Sequence, residues 1–205
     1  MSDGFKNTSL WLRTLAEGAD TDPFAEERAK LRNAYLAMRE NAKELVSLIP
    51  NDCRGITVHN ITHLDALWET ADLIAGPAFE INAAEAFVFG AAVLIHDAGM
   101  TVAAFPGGLP ELTTTTEWTD TIYAFYRTRG LPEPSRDAVK NPPSAFKEQI
   151  LFNVLRSLHA RQAENLIGMR WPLPSGGEQV CLLESEQLSG YLEFRVHRRS
   201  FRRNT

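Results

Sequence analysis

The stretch TVHNITHLDALW, residues 57–68, carries His59 and His63 four residues apart, and GAAVLIHDAGM, residues 90–100, carries an apolar run into His96-Asp97. Histidines at i and i+4 on a helix share one face. They can offer two imidazoles to one metal ion, or one to the ion and one to a substrate. The doublet raises a sharper problem. A carboxylate delivered to the core costs several kcal/mol (order of magnitude) unless something positive faces it. The next Lys or Arg after Asp97 is Arg127, thirty positions on, so no local ion pair answers that cost. A divalent cation held by carboxylate and neutral imidazole answers it for both groups. Plainer readings stay open beside this one. The histidines can be a surface or capping pair, and Asp97 can cap the next turn with His96 bonded to it.

Periodicity and punctuation show which elements must hold these residues. Asp22-Pro23 reads as a cap with a first-turn proline. Leu31, Tyr35, Met38, Ala42, Leu45 and Ile49 then form one stripe on a long helix ending before PNDCRG. Leu64, Leu67, Trp68, Ala71 and Ile74 mark a helix over 61–75, stopped by Gly76-Pro77. Asn82 with Glu85 three residues on opens a helix over 83–95 whose single charge is Glu85, so it must be covered on nearly all sides. Residues 100–117 read as loop, with Gly107-Gly108 as a turn and TTTTEW capping a short helix over 118–128. Trp118, Tyr123, Phe125 and Tyr126 read as core. GLPEPSRDAVKNPP reads as loop. Ile150, Leu151, Val154, Leu155, Leu158, Ala163, Leu166 and Ile167 share the face of a last long helix. Beyond it, YLEFRV is an isolated strand signal, and the final eleven residues hold five arginines, a solvated end. The expected organisation is an N-terminal segment 1–21, a helical domain 22–170 and a poorly patterned arginine-rich tail 171–205.

Composition narrows the classes. At 205 residues, 44% hydrophobic and 23% charged, the chain can bury a real core. A net charge of -5 argues against nucleic acid or an anionic membrane as a general partner. Cys53 and Cys181 form no C-x-x-C pair, no signal-peptide pattern opens the chain, and no unbroken apolar run reaches span length. The expected setting is the cytoplasm.

With His63 on one helix and His96-Asp97 closing the next, the chain resembles the HD superfamily of metal-dependent phosphohydrolases, and HNITH is similar to the H-N-x-x-H of cyclic nucleotide phosphodiesterases. The likeness covers residues 30–170. It implies an all-α, HD-domain-like helical bundle. It implies a divalent metal ion (Mn, Mg, Zn or Fe, among which the donor set does not choose) held by His63, His96 and Asp97, with His59 as general acid. LRSLHARQAENLI looks like the later helix of HD subgroups with an extra histidine. His159 is then a second-metal ligand or a phosphate contact, with Arg156 and Arg161 near the phosphate. The implied substrate is a small-molecule phosphoester or nucleotide. HD domains on larger bacterial proteins with GHKL-type ATPase or cyclase partners are similar, which implies an ATPase or signalling domain as partner.

The family pattern ends in a distal aspartate that is missing here. The last aspartate is Asp137, ahead of His159, and after His159 the only acidic residues are Glu164, Glu178, Glu184, Glu186 and Glu193. One expectation is a piece truncated at its C-terminal end, with the final ligand beyond it. The other is a degenerate domain kept as a metal- or nucleotide-binding regulatory module. A metal-free helical interaction domain is the third reading.

Overall fold

A computed structural model describes residues 4–18, 21–55, 59–172 and 179–183, the side chains of Pro172 and Val180 excepted. The fold is all-α, as expected. Its helices are α1 (Ser9–Thr14), α2 (Ala25–Val46), α3 (Ile49–Asp52), α4 (Ile61–Ala75), α5 (Ala83–Ile95), α6 (Gly108–Leu112), α7 (Thr116–Thr128), α8 (Arg136–Lys140) and α9 (Ser144–Leu166). Two short strands, β1 (Arg170–Pro172) and β2 (Gln179–Cys181), pair antiparallel with Trp171 opposite Val180.

Helix α2 is the spine. Its stripe is buried from Tyr35 on, with Leu31 half-buried, but the helix begins at Ala25 rather than at Pro23. Asp22 closes a turn ahead of the helix instead of capping it: Oδ1 accepts from the Phe24 amide at 3.0 Å, and Oδ2 pairs with Arg28 at 2.7 Å. The stripe also outlasts the helix. After a break at Ser47-Leu48 it resumes in α3, where Pro50 sits in the first turn and its missing N–H is no loss. The long helix ends before PNDCRG as expected, but Ile49 falls in a separate short helix that runs on to Asp52.

Helices α4 and α5 match their expected spans. Asn60 caps α4 by accepting from the Thr62 and His63 amides at 2.9 and 3.3 Å. Asn82 and Glu85 form a reciprocal capping box at 3.0 and 3.1 Å. Asn82→Ala is expected to cost about 1 kcal/mol, lowering the melting temperature by about 2–4 °C in a calorimetric scan. By composition alone, Ala83–Met100 is long and apolar enough to cross a membrane, a property that counting unbroken apolar runs did not show; in the fold more than half of it is buried inside the protein.

Two contacts set these helices on α2. At Gly90 a Cβ would meet Trp68 and Tyr35 ring carbons at 2.5 and 2.6 Å, so the missing side chain lets α5 lie close. Arg39 clamps α4 through Asp65 at 2.8 and 2.5 Å.

The expected loops contain structure that periodicity is too coarse to show. Residues 98–104 form two 3-10 turns, α6 follows, and α8 lies within GLPEPSRDAVKNPP with Ser135 capping the Ala138 amide at 3.1 Å. Thr115 caps α7 through the Trp118 amide at 3.1 Å, as TTTTEW suggested. Trp118 and Phe125 are core and Tyr126 packs on it, but Tyr123 is 41% exposed.

Both flanks join the helical core. Phe5, Leu10, Trp11 and Leu15 are buried, and Phe5 and Trp11 pack edge to face at 5.0 Å beside the Tyr35–Trp68 pair. Asp72 on α4 holds the start of α1 by accepting from the Ser9 and Leu10 amides at 2.9 and 2.6 Å. After residue 170, where little structure was expected, Trp171, Cys181, Leu182 and Leu183 are buried and Asn41 Nδ2 donates to the Cys181 carbonyl at 2.8 Å. YLEFRV, the arginine-rich end, Glu178, Glu184, Glu186 and Glu193 lie outside the described residues.

Candidate metal centre

The start of α4 and the end of α5 meet around one carboxylate oxygen. Asp97 Oδ2 lies 2.8 Å from His96 Nε2, 3.6 Å from His63 Nε2 and 3.8 Å from His59 Nε2. The rings of His59 and His63 are 5.3 Å apart and those of His63 and His96 5.9 Å. Capping by Asn60 fixes where α4 begins, and so places His63 in its first turn and His59 just ahead of it. The doublet follows the last turn of the most apolar helix, with the Asp97 side chain only 14% exposed.

The electrostatics answer the problem posed by the sequence. Burial pushes the Asp97 carboxyl up, but the His96 hydrogen bond and the three imidazoles outweigh it and hold the group below its usual range. For His96, burial favours the neutral ring, yet the bonds to Asp97 and to the Val93 carbonyl raise its affinity for a proton. His63 goes the other way, lowered by burial with His59 and His96 nearby, against the pull of Asp97.

One nitrogen each from His63 and His96 and one oxygen of Asp97 lie within 4.8 Å of one another, the spacing of a metal-ligand group. Imidazole and carboxylate donors suit a divalent transition metal, and the half-buried carboxylate supplies the charge that such an ion offsets. The residues fit. His96 Nδ1 donates to the Val93 carbonyl at 2.7 Å, which orients the ring and commits Nε2 to the cluster.

A pH dependence follows. Without metal, His96 keeps its proton to a higher pH than an ordinary histidine, and a metal needs the unprotonated ring. Affinity is therefore expected to fall about tenfold per pH unit below the raised His96 value. Titration calorimetry in two buffers of different ionisation enthalpy should register proton release on binding. Affinity unchanged across that range would contradict it.

The other expected site residues sit apart from this group. The α9 backbone at His159 packs on Gly99, but the His159 imidazole turns to its own helix, Nδ1 donating to the Arg156 carbonyl at 2.6 Å, and it is not among the converging ligand atoms. Arg156 is exposed on α9, and Arg161 pairs with Glu117 of α7 at 2.8 Å. Among the described residues no further carboxylate joins the three ligands. Sequence reasoning missed the Val93 carbonyl and it missed Asp52, whose partners lie 49 and 50 residues away and leave no local signal.

A family model, HD-CE, matches residues 51–204 of this chain. No curated protein and no solved structure matches it.

Proposed function

This chain belongs to the HD-CE family, and from that premise we propose that it is a metal-dependent phosphohydrolase or phosphodiesterase acting on a nucleotide-type phosphoester. The observation that carries the reading is the convergence of three imidazoles on a largely buried carboxylate with ligand-like spacing. His63, His96 and Asp97 hold the ion, which when bound supplies Lewis acidity and lowers the pKa of a water. His96 is oriented for that task by Val93. His59 stands beside His63 and faces the same carboxylate, and it gives its proton to the departing oxygen. Arg156 and Arg161 belong to the proposal as phosphate contacts, Arg161 exchanging Glu117 for the substrate. His159 belongs to it as a phosphate contact or ligand to a second ion. The partners are the small-molecule phosphoester or nucleotide and an ATPase or signalling domain, and the setting is the cytoplasm.

A second reading, a regulatory module that binds metal or nucleotide without turnover, is favoured by the three-member ligand group. One assay separates them. Generic phosphodiesters and nucleotides are incubated with the protein and added manganese. Hydrolysis that chelator removes, and that His96→Ala with Asp97→Ala removes, supports the enzyme. Metal binding without hydrolysis supports the regulatory module.

A further inference from the structure

We propose that Asp52 is a positioning residue for the metal centre, joining the end of α3 to the segment that leaves Asp97. The inference rests on the metal reading of the site. Asp52 is the last residue of α3, seven before His59, and its side chain reaches across to the turns after the doublet. Its Oδ2 accepts from Thr101 Oγ1 at 2.6 Å and from the Val102 amide at 2.9 Å. The neighbouring Cys53 adds a third tie, its thiol donating to the Met100 carbonyl at 3.3 Å. On the doublet's side the Met100 amide donates to the Asp97 carbonyl at 2.8 Å, so the clasp grips a turn that begins at the ligand itself.

The clasp is built to be rigid. Thr101 is fully buried and Cys53 is 1% exposed, while Asp52 is half-buried at the edge of the core, so the Thr101 hydroxyl has few alternatives to Asp52 as acceptor. Burial, helped by the charge of Asp52, pushes the Cys53 thiol up to about 11, which keeps it a donor. Thr101 also accepts from the Ala103 amide at 3.4 Å, which carries the tie into the next turn. Bonds to an ionised acceptor are the stronger kind. Without Asp52 a buried hydroxyl and an amide lose their acceptor, and the turn that begins at Asp97 is free to move relative to α3.

Asparagine keeps one oxygen in place for both donors, and alanine keeps none. Metal affinity is measured by calorimetry with Zn(II) or Co(II) alone, well below each variant's melting temperature, so that only folded protein is read. Asp52→Ala is expected to weaken binding by about 10–100-fold, the range for groups supporting metal ligands, and Asp52→Asn to restore it to within about threefold. Thr101→Val removes one donor while keeping its shape, and it should weaken binding in the same direction. This variant carries the test if Asp52→Ala does not fold. A general loss of stability would lower the melting temperature without this pattern of affinities. Wild-type protein that binds metal, with Asp52→Ala or Thr101→Val binding equally well, overturns the inference alone. Equal loss in Asp52→Asn and Asp52→Ala also overturns it, because the acceptor is then not what matters. Wild-type protein that binds no metal overturns the inference together with the metal reading.

Discussion

Asp97→Ala is expected to abolish the thermal stabilisation that the proposed divalent metal would give this protein. A ligand that binds only the folded state, at a hundred times its Kd, adds about 2.7 kcal/mol. For a domain of this size that raises the melting temperature by about 5–11 °C. Asp97 is the one anionic ligand of the group, and all three imidazoles face it. Removing it leaves neutral donors around a cation and no charge to offset. The affinity loss should exceed the roughly 10–100-fold typical of supporting residues, so the variant's melting temperature should stay unmoved by added metal. Metal-free stability should fall as well, because the imidazoles hold the Asp97 carboxyl below its usual range and that interaction favours the folded state above the unfolded carboxyl's range. Scanning calorimetry of both proteins with and without metal checks both halves. An undiminished metal-induced shift in Asp97→Ala would count against the ligand assignment.

Gly99→Ala should be the most damaging glycine-to-alanine change among the described residues. The new Cβ would run into the His159 carbonyl oxygen and lie 2.8 and 3.0 Å from the His159 Cα and carbonyl carbon. These are backbone atoms of a long helix, and no side chain can swing aside to relieve the clash. Overpacking of this kind costs about 3 kcal/mol, the upper part of its usual range, which lowers the melting temperature by about 6–12 °C. Relief requires α9 or the turn after the doublet to move, so metal affinity should fall as well. Gly168→Ala, with nothing within 4 Å of its new methyl, is the control and should stay within about 0.5 kcal/mol of wild type. A Gly99→Ala melt matching that of Gly168→Ala would show that α9 does not press on the doublet turn as described.

What the sequence made legible was whatever local rules control. Asn82 and Glu85 announced a helix start that the backbone obeys, apolar spacing placed α4, and the α2 stripe identified its buried face. The cost of enclosing a carboxylate singled out His96-Asp97, and the resemblance to HD phosphohydrolases added His63, whose Nε2 lies 3.6 Å from Asp97 Oδ2. What stayed hidden was set by distant partners. Asp22 looked like a cap, but Arg28 and the Phe24 amide claimed it. The α8 and α6 helices are five residues each, too short for periodicity to register. His159 lies on a face that does meet the doublet turn, yet the contact is made by its backbone against Gly99, and helical spacing cannot say which part of a residue will touch. The pairing of β1 with β2 depends on packing against α2 that weak alternation does not signal.

The central claim is that one ion is shared by His63, His96 and Asp97. Anomalous diffraction from crystals grown with Zn(II) or Co(II), collected on both sides of the metal's absorption edge, tests it most directly. The account predicts an edge-dependent peak bounded by those side chains, lost in crystals of Asp97→Ala. Metal-saturated crystals with no such peak between α4 and the end of α5, or with the ion bound elsewhere, would contradict it.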